Sequence, residues 1–382
     1  MRPTAQSLLA ALALVAGASS ALAQFTAGNL VVMTVGGENA GGGNSVSFRE
    51  YTTGGTFVPG SLVNLPTSGN DAFSMSDVYN HGRHLHRSAD GRYLVFAGYG
   101  VAPGAADPGT STGVARVVGL LGQNGSVDLS TRLSDAYLGT TVRGAYSTDG
   151  TQIWVAGDNE GTTSTSGGIR YTTRGSSTSS NLSRTQVGGG SPTPDNIRDL
   201  NVFGGQLYDS SGSGSSVGRG VLAVGSGLPT SGSQTITNLT TAASADSASS
   251  FYMLDLDGTV GMDTLYFVGD SAVRRYNLVG GSWVFRGTLT TGFTAAGVLD
   301  QIIAAPNGTG GVTLYVAGPS AVLSLTDSSP LGAAVGFSVP STLITAPAGT
   351  TLGGIEFAPV PTPAAAALLL GAAPAAFRRR RR

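Results

Sequence analysis

Ser88-Ala89-Asp90-Gly91-Arg92-Tyr93-Leu94-Val95-Phe96-Ala97-Gly98 recurs as Ser147-Thr148-Asp149-Gly150-Thr151-Gln152-Ile153-Trp154-Val155-Ala156-Gly157. In both copies an Asp-Gly pair leads into a run of large and small apolar residues. Asp-Gly tolerates the positive φ of a two-residue hairpin turn, so each copy reads as a turn between antiparallel strands. Alternation puts Tyr93, Val95 and Ala97 on one face of the strand and Leu94 and Phe96 on the other. Both faces are apolar, which suits a strand covered on each side by a neighbouring sheet. Weaker copies are Phe203-Gly204-Gly205-Gln206-Leu207-Tyr208, Asp263-Thr264-Leu265-Tyr266-Phe267-Val268-Gly269 and Gly311-Val312-Thr313-Leu314-Tyr315-Val316-Ala317-Gly318.

The copies recur about every 50 to 60 residues, a period that holds four short strands and signals a repeat architecture. First strands of successive units begin near Leu85, Val142, Ile197, Phe251 and Val298. A sixth first strand, residues 352–357, has none after it. The chain begins with three strands, 30–35, 46–51 and 61–65, that lack a first one. The two incomplete sets complement each other. The expected fold is therefore an all-β β-propeller of six four-stranded blades, closed by a C-terminal strand that becomes the innermost strand of the first blade. Seven blades is the alternative if residues 67–84 hold a further hairpin. No stretch keeps a helical period over three turns.

Composition narrows the chemistry. The chain has 382 residues, 59 of them Gly, with no Cys and only 11% charged residues. This excludes a coiled coil, a polytopic membrane protein, a disulfide framework and any thiol nucleophile or Cys-based metal site. Three parts are expected: a signal peptide at 1–23, a propeller at 24–359 and a tail at 360–382. Met1-Arg2, an apolar stretch over 7–18 and Ala21-Leu22-Ala23 make an export signal, with cleavage between Ala23 and Gln24. The tail holds Pro361, Thr362 and Pro363, an apolar segment at 364–377, and Arg378, Arg379, Arg380, Arg381 and Arg382. Fourteen apolar residues fall short of the ~20 that cross a bilayer comfortably, and terminal arginines hold such a segment on the cytoplasmic side. The segment reads as a transient transmembrane helix, with a permanent anchor as the alternative. Without Arg2 and the terminal arginines, 15 arginines face 22 acidic residues, a net charge of about −7, which argues against a nucleic-acid partner.

Residues 359–382 resemble the PEP-CTERM sorting signal of Gram-negative-type bacteria, with Thr362 standing where that family has Glu. The resemblance implies an exosortase-type protease as partner, cleavage near the motif, and release to the cell surface, envelope or extracellular space. The body resembles uncharacterised β-propeller proteins bearing such tails, through the Ser88–Tyr99 block, Gly168-Ile169-Arg170-Tyr171-Thr172-Thr173 and Gly353-Gly354-Ile355-Glu356-Phe357-Ala358-Pro359. It brings no catalytic residue with it.

Few residues invite chemistry. His81, His84 and His86 are the only histidines. On a strand His84 and His86 share a face and are candidate zinc ligands, and His81 in the preceding turn could complete the set. Otherwise they read as polar residues of a wet channel wall that Gln replaces at little cost. Asp255, Asp257 and Asp263 resemble part of a calcium loop but lack its downstream Glu, so an Asp-Gly turn is the preferred reading. The Gly-rich segments lack the Lys and helix of a phosphate cradle, and no nucleophile elbow is present. Tyr99, Tyr137, Trp154, Tyr276 and Trp283 are candidate sugar platforms, though packing between blades suits each better. Two functions follow. One is a monomeric, cofactor-free, non-catalytic binding or structural protein of the envelope or matrix, with extracellular polysaccharide as a candidate partner. The other is a propeller hydrolase or lyase acting on a glycan or lactone, metal-assisted through the histidines.

Overall fold

The computed structural model describes residues 25–76, 82–158, 166–182, 184–186, 196–212, 218–240, 247–269 and 271–361. Six antiparallel sheets form a six-bladed propeller, with no helix among the described residues. The first blade runs Thr350–Phe357, Leu30–Gly36, Val46–Tyr51 and Val63–Asn64 from the axis outward. Its innermost strand is the last of the body, paired antiparallel with Leu30–Gly36 in the register Leu30 to Phe357 and Gly36 to Thr350. The remaining five blades start at the axis with His86–Arg87, Val142–Ser147, Ile197–Phe203, Ser250–Leu254 and Gln301–Pro306.

Of three local features, the first bears out six blades over seven and the other two depart from the sequence reading. Residues 67–76 add no blade; Met75–Ser76 pairs only with Gly43–Asn44 in a small two-stranded patch. The fourth blade gains a strand, because Arg184–Gln186 runs parallel to its outermost strand Gln234–Asn238. The turn at Asp90-Gly91 is also longer than a two-residue turn. Ser88 N donates to Tyr93 O at 2.9 Å, enclosing four residues, and Gly91 takes the positive φ of 75° that closes the loop.

The two-faced repeat strand packs as its alternation requires. Leu94 and Phe96 join a core with Val31 and Phe48 of the first blade and Phe73 of the segment that follows it. Val95 and Ala97 join another with Val142, Ile153 and Val155 of the third. Each fully buried aliphatic or aromatic side chain contributes about 1.5–3 kcal/mol, so these inter-blade cores hold the ring together.

At the axis, closure is polar. Gln301 of the sixth blade accepts from Leu85 N at 3.1 Å and Ile355 N at 3.0 Å, and donates to Leu85 O at 2.6 Å. One amide thus stitches the sixth, second and first blades. Gly354 lies against this stitch; a Cβ there would stand 2.4 Å from Leu85 N and 2.5 Å from Gln301 Oε1. The position needs glycine because the backbone of the neighbouring blade leaves no room for a Cβ.

Candidate functional site at the propeller axis

His84 and His86 enter the axis on the innermost segment of the second blade. Alternation sends both rings the same way, with centroids 6.2 Å apart. What they meet comes from distant blades. His86 Nε2 lies 2.6 Å from Asp199 Oδ1 of the fourth blade. Asn201, two residues further along that strand, donates from Nδ2 to His86 Nδ1 at 3.4 Å, while its Oδ1 accepts from Val202 N at 2.8 Å. With Nδ1 accepting, Nε2–H is the nitrogen that donates to Asp199. His84 sits between two carboxylates. Its Nδ1 is 3.6 Å from Asp199 Oδ1 and its Nε2 is 3.4 Å from Asp300 Oδ1, at the entrance to the sixth blade.

The electrostatics follow from burial. His84 and Asp199 are fully buried, and His86 and Asp300 nearly so. Burial alone would lower the His84 pKa, but Asp199 and Asp300 outweigh it and push it up to about 9. Burial would raise Asp199; His84 and His86 hold it below the usual carboxylate range instead. The cluster is thus a buried cation shared by two anions, with His86 bracing one of them. Its environment is not the wet channel wall read from sequence.

His84 turns its two nitrogens towards different carboxylates, so ligation of a zinc ion by His84 and His86 would compete with these pairings. His81, the third expected ligand, lies outside the described residues. Asp255, Asp257 and Asp263 do gather, with one oxygen from each within 4.8 Å of the others. Their oxygens serve the turn. Asp255 accepts from Gly258 N, Asp257 from Thr259 N, and Asp263 from the Leu256 and Asp257 amides at 2.7 Å each.

The aromatic residues weighed as sugar platforms mostly pack, the reading preferred for them. Trp154, Tyr137 and Tyr276 are fully buried. Trp154 donates to Pro229 O and Tyr137 to the carbonyls of Val155 and Gly168. Tyr99 is buried beside the Arg116 guanidinium. Trp283 is half-buried on an outermost strand.

Beside the histidine cluster lies a cavity of about 300 Å³ whose lining includes Arg87, Tyr146, Asn201, Phe203, Tyr252 and Glu356. Five blades supply these residues from their innermost strands. Glu356 is buried, which pushes its carboxyl above the usual range against the pull of Arg87. Tyr146 and Tyr252 are pushed up as well, by burial first and Glu356 second. Val360 closes one lip, its N–H donating to Gly91 O at 2.8 Å. None of these cavity residues was singled out from sequence, apart from Phe203 in a weak repeat copy and Glu356 in the closing strand and the Gly353–Pro359 block.

The export signal, the Thr362-Pro363 part of the sorting motif and the arginine run lie outside the described residues; Pro361 is exposed at the end of the body. Among the described residues, no helix is long and apolar enough to cross a membrane.

No family model matches the chain, and no curated protein matches it. Solved structures do resemble it. One is a candidate 6-phosphogluconolactonase from Bacteroides uniformis, at 14% identity and TM-score 0.48, covering 82% of this chain and 83% of that one. A candidate glycoside hydrolase from Parabacteroides distasonis follows at 11% identity and TM-score 0.38, covering 81% and 86%. Apo AztD from Citrobacter koseri matches at 12% identity and TM-score 0.31, covering 86% and 97%. At such identities and scores, none bears on what this chain binds.

Proposed function

We propose that the chain is an exported, non-catalytic binding propeller of the cell envelope or extracellular matrix, which takes a small polar ligand in the axial cavity beside Glu356. The observation that carries this reading is a division of labour at the axis. The imidazoles and aspartates suited to acid–base work are buried and engaged with one another. The side chains that face the cavity are instead a mixed set of phenols, two carboxyls and a guanidinium. Such a set orients a ligand by hydrogen bonds. The export part rests on the leader at 1–23 and on the Pro-x-Pro, apolar and arginine pattern of the tail.

A binding screen of the purified chain against glycans and small metabolites tests the reading. Binding that Glu356→Gln weakens is the expected result. Binding that leaves the axial cavity untouched would overturn it. The second reading, a hydrolase or lyase acting on a glycan or lactone, draws on the convergence of His84, His86, Asp199 and Asp300 at the same axis. Turnover of a glycan or lactone that is lost in His86→Gln would put that reading first.

A further inference from the structure

The cavity beside the histidine cluster is specific in what it leaves unmade. Most of its polar groups are spoken for. Asp90 accepts from Ser88 Oγ at 2.7 Å and from Arg92 N at 3.1 Å, and Asn201 is bonded to His86 and Val202. Glu356 Oε1 accepts from Phe357 N at 2.8 Å. Three side-chain groups stay unused, the two phenols and the Arg87 guanidinium, while Glu356 is held by backbone N–H groups of Phe357 and Arg87. Neither the Tyr146 nor the Tyr252 hydroxyl has a hydrogen-bond partner among the described residues, although Tyr146 is buried and Tyr252 half-buried against the cavity. A buried tyrosine ordinarily finds a partner for its hydroxyl. Arg87 and Glu356 attract one another from adjacent blades, yet among the described residues they do not meet in an ion pair. The Phe203 and Tyr252 rings stand edge to face, 5.3 Å apart, and add an apolar wall.

Resting on the binding reading above, we infer that the ligand is a neutral saccharide unit, held by the Tyr146 and Tyr252 hydroxyls between Glu356 and Arg87. Sugar hydroxyls both donate and accept, so one ring can donate to the carboxylate, accept from the guanidinium and pair with both phenols. Arg87 and Glu356 stand on adjacent blades, and Asp90 on the same lining is already paired with Arg92, so no single sign dominates the site. A uronate carboxylate would be drawn to Arg87 but repelled by Glu356, and a quaternary ammonium would meet the reverse. The apolar face of a pyranose suits the Phe203–Tyr252 wall.

Calorimetric titration of the purified full chain tests this, with three sets of probes: neutral mono- and disaccharides of glucose, galactose, mannose and xylose; glucuronate and galacturonate; and choline. A neutral saccharide is expected to bind. Tyr146→Phe and Tyr252→Phe should each weaken it roughly fivefold, the loss of one hydrogen bond, with the melting temperature held as a control on folding. Glu356→Gln should weaken the neutral sugar and admit glucuronate. If glucuronate or choline binds the parent better and the tyrosine variants weaken that binding, the ligand class is overturned while the axial binding reading stands. If no probe binds the parent, or binding ignores both tyrosines, the saccharide assignment falls. If the broader glycan and metabolite screen also finds nothing at this cavity, the binding reading falls with it.

Discussion

His86 Nε2 and Asp199 Oδ1 lie 2.6 Å apart although 113 residues separate them along the chain. The contact joins the innermost strands of the second and fourth blades and shares its carboxylate with His84. It belongs to the ring, not to any one blade, so its removal should be felt by the whole propeller.

Asp199→Ala takes a carboxylate from two buried imidazoles. Breaking a buried pair by deleting one partner costs about 3–5 kcal/mol, and a loss of that size is expected in denaturant unfolding. His86→Gln combined with Asp199→Asn should cost less than the sum of the single changes, because the partners disappear together. Strict additivity in that cycle would contradict the coupling.

Stability should depend on pH through His84. Its folded pKa of about 9 stands above the ordinary histidine value of ~6.5. The stabilisation is therefore fully present below about pH 6.5 and is lost as pH rises through about 9. Asp199, held low, contributes above its unfolded pKa and loses that contribution as pH falls through its folded value. Melting temperatures from pH 6 to 10 are expected to fall in the parent chain and to fall less in His84→Gln. Parallel curves for the two proteins would rule out His84 as the titrating group.

Ring closure should be essential to cooperativity. Truncation after Gly349 removes the strand Thr350–Phe357 and uncovers the donors and acceptors of Leu30–Gly36. Loss of a single cooperative transition is expected by calorimetry. Gln301→Leu is a milder probe. It orphans the Leu85 and Ile355 amides, at about 1–3 kcal/mol for each buried group. A truncated chain that melts like its parent would refute closure by this strand.

Processing is testable in the native host. Mass spectrometry of the released protein should find Gln24 at its N-terminus and no Arg378–Arg382 run. A released form with its arginines intact would instead favour a simple anchor.

The repeat strands were legible because their cause is local. A period of two, an Asp-Gly turn and two apolar faces lie within the eleven residues from Ser88 to Gly98. Counting such units was enough to predict six blades and a closing strand at 352–357. The turn length at Asp90-Gly91 and the extra parallel strand Arg184–Gln186 were less accessible, since each depends on how neighbouring segments settle.

By itself, then, the sequence determined the blades, their order and which strand faces pack, because strand periodicity and turn chemistry act between near neighbours. Only the tertiary structure decided the site. Asp199, Asp300 and Gln301 reach the histidine segment across 113 to 216 residues of chain, and the cavity draws Arg87, Tyr146, Tyr252 and Glu356 from four separate blades. The sequence placed these residues on first strands, but nothing in it marked which of them would meet. The ring sets which positions of each innermost strand converge, and it exists only once the last strand has closed on the first.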